Sequence, residues 1–545
     1  MAFAFSLFML WQGWQRHEHP VVPPAAQSTA SVAQVPAGQN GAVPVPTATT
    51  NNTSIPAASN VPQAGQPAQA GLPKVEVSTD QFVAEISAGG GDLTRLELKH
   101  HHATIDKTKN FVLLEEKHAY AAQSGLIGAG LPNHKSVWTL PNGPIALKDG
   151  ENELRVSLSA QGENGIQVTK TYIFQRGSYV VDLEYQISNN SPVNLNTHAY
   201  FQLTRDNKAP DGANSMMTTF TGPAFYTDSD KYLKSTFEEI ANNKTKLPAK
   251  ANNGWVAMVQ HYFVSAWLPT GSHEREFFVR EIGKDIYSAG VILPVPSLAP
   301  GASTKFDSRL YVGPQEQEKL AAIAPGFDLV VDYGWLTVIA APIFWLLQWL
   351  HSFIGNWGWS IIVLTIIIKA AFFPLSAASY KSMAKMKLLT PKLTKLKETF
   401  GDNKQRLNQE MMELYKKEKV NPLGGCLPIM VQIPVFLALY WVLQSTVEMR
   451  GAPWLGWIKD LSAQDPYFVL PLIMGVTMVV TTKLNPTPPD PMQAKVMMIM
   501  PIVFTGMFLF FPAGLVLYWT VNNLLSIAQQ WQVTRMIEAS GIKAK

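Results

Sequence analysis

The sequence predicts a polytopic α-helical membrane protein that carries a large antiparallel β-sandwich domain. Three observations predict this class. Only 15% of the 545 residues are charged, against about 25% in a typical soluble domain, and long apolar segments crowd the chain after residue 330. Between residues 73 and 330, period-2 alternation recurs between clusters of Gly, Asn and Pro. The single cysteine excludes an intramolecular disulfide, a Cys-cluster zinc site and a thiol redox pair.

The chain begins with two segments predicted to be a membrane anchor and a flexible linker. Residues 1–16 are apolar but shorter than the roughly 20 residues that span a bilayer, and they lack the charged start of a signal peptide. The segment is therefore either an anchor whose true start lies upstream, which we favour, or a partial interfacial segment. Residues 17–72 are rich in Pro, Ala, Gln, Ser and Thr with almost no charge, so they cannot bury enough apolar surface to offset their ordering entropy.

Residues 73–330 form the predicted β-sandwich. Alternation of apolar and polar residues is clear at 93–98 and 154–158. Further strand-like runs cover 166–175, 179–189, 195–205, 254–269, 276–293 and 303–313. Many strands at short spacing, without helical crossovers between them, are typical of a large antiparallel sandwich.

The chain after residue 330 is predicted to lie in or on a membrane. Its apolar segments are 335–352, 357–375, 423–447, 467–482, 496–511 and 513–532. Tryptophans occur all along the first of them, which is typical of a helix on the membrane surface, so residues 331–356 are predicted to be interfacial. Residues 357–375 are then the first span of a bundle, residues 421–535 hold four more, and residues 536–545 form a tail.

Residues 376–420 are the most basic part of the chain, with eleven Lys and Arg against five Asp and Glu. The positive-inside rule places this loop in the cytoplasm and the β domain on the other side, the periplasm. Apolar residues at a/d spacing predict an antiparallel helical hairpin, broken at Gly401, with Asp402 capping the second helix. The hairpin either only fixes topology or is a docking surface for an acidic partner such as ribosomal RNA.

Lys369 is the most informative single residue, because it lies within a predicted span. A charge at the centre of a membrane helix costs about 2.5–3.5 kcal/mol, and none of the predicted bundle spans contains Asp or Glu. The lysine therefore either extends to the interface or faces a water-filled cavity inside the bundle. Neutral polar residues in the same spans favour the cavity, although they also serve as contacts between helices: Thr365, Gln432, Tyr518, Asn522 and Ser526.

Six short motifs carry a family resemblance: GDNKQR at 401–406, NPLGGC at 421–426, QIPVF at 432–436, LSAQDP at 461–466, MGVTM at 474–478 and GLVLYW at 514–519. Together they resemble the YidC/Oxa/Alb family of membrane protein insertases in its Gram-negative bacterial form. The resemblance covers the whole chain. It implies six spans including the N-terminal one, a periplasmic β-supersandwich similar to the sugar-mutarotase fold, and an interfacial helix before a five-helix core.

The resemblance also implies a function without chemical catalysis. An insertase and folding chaperone of this kind moves nascent membrane proteins into the inner membrane, alone or with the Sec translocon, through a hydrophilic groove open to the cytoplasm and to lipid. A cation in that groove receives polar parts of the client, and Lys369 stands at its position. The family usually has arginine there, so lysine keeps the charge but not the planar bidentate fork. A Tyr-Tyr pair common in the family is Tyr518-Trp519 here.

The implied partners are nascent membrane proteins, the ribosome, the Sec translocon and the lipid bilayer, and no cofactor or metal is expected. The implied wall of the groove includes Phe436 and Met474. Candidate contacts between the hairpin and the ribosome are Tyr380, Lys385, Lys392, Asp402, Lys404 and Arg406.

Two other functions stay open at this point. An ion- or proton-coupled transporter would explain an intramembrane lysine, but it normally has carboxylates in its spans. A membrane-tethered carbohydrate-binding protein would use polar residues of the β domain. In the run 100–102 only His100 and His102 could share a metal, because successive strand residues point to opposite faces. Asp228 and Asp230 need only form a turn, and His261 is the remaining candidate.

Overall fold

The computed structural model describes residues 71–212, 219–401, 403–418, 427–485 and 491–539. The predictions for the N-terminal anchor, for the linker up to residue 70, for the placement of Asp402 and for the motif at 421–426 fall outside these residues.

The β-sandwich consists of two large sheets, which confirms the predicted class of this half. Its strands are β1 Lys74–Ser78, β2 Phe82–Ser87, β3 Leu93–His102, β4 Asn110–Leu114, β5 Ala121–Ile127, β6 Ile145–Ala146, β7 Glu153–Gln161, β8 Ile166–Gln175, β9 Val180–Asn189, β10 His198–Asp206, β11 Gly222–Thr227, β12 Lys231–Lys234, β13 Trp255–Val259, β14 Phe263–Pro269, β15 Glu276–Gly283, β16 Ile286–Pro294 and β17 Ser303–Pro314.

One sheet has the order β15-β16-β10-β5-β3-β2-β1-β6, with β4 paired to β3, and the other has the order β12-β11-β13-β14-β17-β9-β8-β7. The pairing is antiparallel throughout the described strands except between β1 and β6, which run parallel. Apolar side chains from both sheets form one shared core. Two short helices accompany the sandwich, α1 Phe237–Ala241 and α2 Gln317–Ile323.

Two of the predicted strand runs are hairpins instead of single strands. The run 254–269 divides into β13 and β14 where Gln260 and Phe263 exchange backbone hydrogen bonds of 3.0 and 3.3 Å. The run 276–293 divides into β15 and β16 at Asp285, whose φ of +58° forms the turn. Every side chain of β13 and β14 is buried, so the apolar run on either side of the first turn gives little alternation by which to locate it.

A buried lysine and aspartate lie inside the sandwich. Lys170 Nζ donates to the carbonyl oxygens of Gly90 at 2.8 Å, Gly91 at 3.2 Å and Ser124 at 3.3 Å. It also lies 3.7 Å from Asp92 Oδ1, and neither side chain has more than 2% of its surface exposed. Burial lowers the pKa of Lys170 and raises that of Asp92, so each depends on the other to remain charged.

Most of the described chain after the sandwich is helical, as predicted. Its helices are α3 Thr337–Ile354, α4 Trp357–Ala371, α5 Phe373–Phe400, α6 Lys404–Lys417, α7 Leu427–Ser445, α8 Val469–Leu484, α9 Pro491–Phe508 and α10 Ala513–Ala539. Helix α10 is central: it packs against α4, α5, α7 and α8. Helix α3 packs on α4 and α7, and α9 packs on α8.

Only one helix among the described residues, Gly334–Ile354, is long and apolar enough by itself to cross a membrane. A second candidate arises if Trp357–Ala371 and Phe373–Met383, which meet at 66°, count as one bent span. The tryptophan pattern predicts that this same helix, Gly334–Ile354, lies on the membrane surface. Whether it crosses the membrane or lies on it therefore stays a prediction. The bend also ends the predicted span 357–375 at Ala371. A proline in the first turn of α5, which lacks an N–H, suits this new helix start.

The hairpin helices α5 and α6 pack through an apolar seam made by Met386, Leu389, Leu393, Met411 and Leu414. The helix break falls at Gly401, as predicted. The predicted cap on Asp402 is wrong. The second helix begins at Lys404, one residue later than that cap requires, and Asn403 Oδ1 accepts the hydrogen bond from Arg406 N at 3.0 Å.

The β-sandwich contacts the segment between α7 and α8, residues 446–468. Arg450 donates to the carbonyl oxygen of His102, and its guanidinium lies 5.4 Å and 5.2 Å from the ring centroids of Phe111 and Phe263. Lys107 pairs with Asp460 at 2.9 Å. These polar contacts fix the sandwich to the connection between two helices of the bundle.

The same segment holds the start of α10. The backbone N–H groups of Ala513 and Gly514 donate to the carbonyl oxygens of Ala463 at 2.7 Å and Leu461 at 2.9 Å. Two of the first four N–H groups of α10, which have no partner within the helix, are thereby satisfied. The position of the central helix therefore depends on the segment that the sandwich contacts.

Helices α8 and α9 approach closely at a glycine. A Cβ added to Gly475 would lie 2.2 Å from Thr505 Oγ1 and 3.2 Å from Thr505 Cβ, so no side chain fits there without movement. A Cβ added to Gly506, in the same pair of helices, would meet nothing within 4 Å.

Replacing Lys170 with Met is expected to destabilise the sandwich by about 3–5 kcal/mol, because Asp92 would remain as a buried carboxyl without its cation. Unfolding of the full chain by denaturant, followed by near-UV circular dichroism, measures the change. The control Lys305→Met removes a surface pair with Glu184 at 2.8 Å and should cost less than about 1 kcal/mol. Equal losses in the two variants would contradict a special role for the buried pair.

Replacing Gly475 with Ala is expected to destabilise the helical half by about 1–3 kcal/mol, because Thr505 and α9 must move away. The control Gly506→Ala should leave the thermal unfolding temperature of the purified protein unchanged. Adding Thr505→Ala to Gly475→Ala removes the nearest atom and should restore part of the loss. A Gly475→Ala variant as stable as Gly506→Ala would show that the two helices do not touch at this glycine.

Candidate functional site

Lys369 occupies the last turn of α4, directly before the bend into α5. Its residue surface is 5% exposed, and Nζ donates to Ser526 Oγ on α10 at 2.8 Å. Ser526 Oγ in turn donates to the carbonyl oxygen of Asn522 at 2.8 Å, which leaves its lone pairs to the lysine. Among the described residues, no carboxylate lies within 4.0 Å of Lys369 Nζ. A buried cation is thus held by a neutral hydroxyl.

Two further polar side chains lie close to Lys369 or Ser526. The Tyr380 hydroxyl of α5 is within hydrogen-bonding reach of Ser526. Gln529 of α10 directs Nε2 to the carbonyl oxygen of Lys369 at 3.5 Å, and its Oε1 is buried without a hydrogen-bond partner among the described residues. The sequence predicts Tyr380 among the hairpin contacts, whereas the structure places it close to Ser526, the residue that binds the lysine.

The predicted groove residues on α4 and α10 have different local roles. Thr365 is buried one turn before Lys369, but its hydroxyl donates to the carbonyl oxygen of Ile361 at 2.6 Å. Such a bond within the helix satisfies the hydroxyl, so it does not need the lysine. Asn522 is half-buried and contributes its backbone oxygen to the Ser526 bond.

An aromatic contact joins α7 to α10. The Phe436 ring stacks on Tyr518 with centroids 6.1 Å apart, and meets Trp519 edge-on at 4.4 Å. Gln432 lies half-buried one turn before Phe436 on the same side of α7. The structure therefore brings Phe436 and Tyr518 to one interface, about two turns of α10 before Ser526. Gln432 shares only the side of α7 on which Phe436 lies.

Met474, the other predicted wall residue, is fully buried in α8. Its carbonyl oxygen accepts from Thr477 Oγ1 at 2.6 Å, and Asn523 of α10 donates to the same hydroxyl at 3.3 Å. Met474 thus belongs to the contact between α8 and α10.

The predicted hairpin residues divide into those used inside the hairpin and those that face solvent. Lys392 pairs with Glu418 at 2.6 Å and so joins the two arms of the hairpin. Lys385 is half-buried, whereas Arg406 is exposed with its guanidinium 5.1 Å from the Phe400 ring. Lys404 lies in the first turn of α6, and Asp402 is outside the described residues.

Sequence reasoning missed Gln529 and Asn523. Gln529 follows Ser526 by three residues, so the polar stripe Tyr518, Asn522, Ser526 could have been extended by one turn to find it. Asn523 gave no such signal, because its partner Thr477 lies on another helix. Tyr380 was named, but its place depends on the bend between α4 and α5, which no periodicity shows.

The polar residues of the β domain that favoured a carbohydrate site have local partners. Asp228 Oδ2 accepts from Asn253 at 2.8 Å and Asp230 Oδ2 from Thr227 at 3.1 Å, as turn residues do. His261 Nε2 lies 3.0 Å from the carbonyl oxygen of Gln444 in α7. His100 and His102 are exposed on β3.

Comparison with known proteins gives the family. The profile of the YidC periplasmic domain matches residues 74–346, and the profile of the 60Kd inner membrane protein matches residues 349–540. A protein of Aromatoleum aromaticum, named membrane protein insertase YidC, is 59% identical over 550 residues, covering 100% of this chain and 98% of its own. A protein of the same name from Dechloromonas aromatica is 57% identical over 542 residues, covering 99% and 97%.

Among solved structures, an active YidC insertase with its first transmembrane domain resolved is 18% identical, with a TM-score of 0.38, covering 83% of this chain and 90% of that one. Both profiles and both full-length relatives agree with the motifs found in the sequence. The chain belongs to the YidC family of membrane protein insertases.

Proposed function

We propose that this chain inserts nascent membrane proteins by admitting their polar segments to a groove centred on Lys369. The observation that carries the proposal is the arrangement of this cation: it is buried, and its described partner is the neutral Ser526 hydroxyl at 2.8 Å. A buried ion pair would already be neutralised, whereas this ammonium keeps hydrogen-bonding capacity and charge for a polar or acidic client segment.

The physical task of such a groove is to lower the cost of moving a polar tail through lipid. Transfer of an unpaired polar group into an apolar medium costs several kcal/mol. Ser526, Tyr380 and Gln529, grouped around Lys369, offer hydrogen bonds in place of those lost from water. The apolar segment of the client then leaves sideways into lipid, which is favourable by about 0.8 kcal/mol for each methylene buried.

We further propose an inner-membrane orientation with the β-sandwich in the periplasm and the hairpin in the cytoplasm. The charge excess of the segment 376–420 supports it. Helix α3 carries the exposed side chains of Trp345, Trp349 and Phe353, and Trp335 is exposed in the turn just before it. These aromatic residues support its placement at the interface, where aromatic side chains are enriched.

The ribosome and the Sec translocon are the proposed partners of this activity. The hairpin supports the first of them. Its apolar seam is closed between α5 and α6, and Arg406 is exposed outside that seam, where an acidic surface can reach it.

Replacing Lys369 tests the groove. In cells depleted of the chromosomal insertase, Lys369→Arg is expected to support insertion of a small client with an acidic periplasmic tail, because the charge is kept. Lys369→Ala and Lys369→Glu should reduce insertion at least tenfold, about 1.4 kcal/mol or more in transition-state free energy, and Ser526→Ala should have a smaller effect. Protease protection of the client tail measures insertion.

The matched control is Lys483→Ala, at the exposed end of α8, which removes a lysine of the same bundle without touching the groove. It should behave as the unchanged protein. If Lys369→Ala and Lys369→Glu insert the client as well as Lys369→Arg does, the lysine does not act on the client and the proposed mechanism is wrong.

The hairpin is tested by reversing charge on its outer surface. The double variant Lys385→Glu and Arg406→Glu should weaken co-sedimentation with ribosomes, and the weakening should be larger at low salt, because contacts to an acidic partner are screened by salt. Lys495→Glu, on the exposed side of α9, changes charge elsewhere and is the control. Equal binding by all three proteins would leave the hairpin with a topological role only.

A further inference from the structure

Three side chains of metal-binding type converge in the β-sandwich, far along the chain from the groove. They are Glu115 and His118, in the connection between β4 and β5, and Asp211, shortly after β10. One nitrogen or oxygen atom from each lies within 4.8 Å of the others. A tetrahedral ion about 2.1 Å from each ligand would set these atoms about 3.4 Å apart, so small side-chain rotations would bring all three into a coordination sphere.

The backbone directs two of these side chains to the same place. Residues Glu116–His118 form a 3₁₀ turn, in which residues three apart lie above one another. His118 N donates to the carbonyl oxygen of Glu115 at 3.3 Å, and Tyr120 N donates to the same oxygen at 3.0 Å. Glu115 and His118, three residues apart, are therefore held on one side of the turn, facing the segment that carries Asp211.

An independent observation points to a ligand. His118 is 5% exposed, and its Nε2 is buried with no hydrogen-bond partner among the described residues. That nitrogen faces the cluster, 3.7 Å from Glu115 Oε1. Buried polar atoms almost always have a partner, so a buried ring nitrogen without one requires an explanation.

The other ring nitrogen of His118, Nδ1, is held by a carboxylate, as it is in many histidine ligands of metal sites. His118 Nδ1 lies 3.0 Å from both carboxylate oxygens of Asp206, at the end of β10. A carboxylate in this position holds the proton on Nδ1, so the lone pair of Nε2 points to the cluster. Asp206 is thus a positioning residue and the other three are the ligands.

We propose that Glu115, His118 and Asp211 form a binding site for a divalent transition-metal ion, with Asp206 orienting the histidine. One imidazole and two carboxylates suit Zn²⁺ and its neighbours in the first row, and leave a fourth position for water. The Asp211 side chain is 54% exposed, so the ion reaches the site from solvent. Lys117, which pairs with Asp211, is displaced from one carboxylate oxygen or shares the group with the ion.

The bound ion would join two separate parts of the first sheet. Glu115 and His118 precede β5, and Asp211 follows β10, the strand paired with β5. The metal would therefore fasten the turn before one strand to the segment after its neighbour, and its binding would stabilise the folded sandwich by mass action.

The test uses the full chain, purified in detergent without a polyhistidine tag and stripped with a chelator. Calorimetric titration with Zn²⁺ is expected to give one ion per chain, and Co²⁺ is expected to give the visible absorption of a tetrahedral site. Asp211→Asn, an exposed substitution, and His118→Gln should each weaken Zn²⁺ binding at least tenfold. Asp206→Asn should weaken it about 10- to 100-fold, as loss of an orienting carboxylate does in other metal sites.

The matched control is the double variant His100→Gln and His102→Gln, on exposed positions of β3, which should bind as the unchanged chain does. Circular dichroism establishes whether each variant is folded. If His118→Gln does not fold, the exposed substitution Asp211→Asn still decides the test. The proposal is wrong if the unchanged chain binds no Zn²⁺, if Asp211→Asn binds it with unchanged affinity, or if binding is lost in the His100/His102 variant.

Discussion

The free energy required to bury the Lys369 ammonium constrains the whole helical half. The predicted bundle spans contain no Asp or Glu, so the charge must be stabilised by neutral dipoles brought from other helices. The bend after Ala371 brings α5 and its Tyr380 back towards the lysine, and the central position of α10 supplies Ser526 and Gln529. A straight helix through residues 357–375 would not direct α5 back in this way.

The two buried lysines show how differently one group can be accommodated. Lys170 is surrounded by three carbonyl oxygens and the Asp92 carboxylate, so its donors are used and its charge is matched. Lys369 has one hydroxyl at 2.8 Å. The first arrangement is complete and serves stability. Among the described residues, the second leaves donors without a partner and the charge without a counter-charge, which is a feature of sites that bind a ligand.

The fold class could be predicted from the sequence because two hydrophobic periods, two and 3.6, dominate different parts of the chain. The predictions that failed concern single turns and one helix cap. The turn between β13 and β14 could not be located from the sequence, because every side chain of both strands is buried and alternation is absent. Asn403 replaced Asp402 as the cap because both residues suit the role and only the helix start decides between them. Lys369 could be predicted from the cost of a charge in lipid, and Gln529 follows the polar stripe of α10. The place of Tyr380 depends on the bend between α4 and α5, which no periodicity shows.

The contact between the β-sandwich and residues 446–468 has a thermodynamic consequence. Lys107 holds Asp460, the next residues bond to the first turn of α10, and α10 carries the hydroxyl that binds Lys369. Suppose that this connection has two arrangements, and that a ligand binds the sandwich more tightly in one of them. That ligand then changes the affinity of the proposed groove for a client by some factor. Linkage then requires that a client in the groove change the affinity of the sandwich by the same factor. The sandwich would in this sense report whether the proposed groove is occupied.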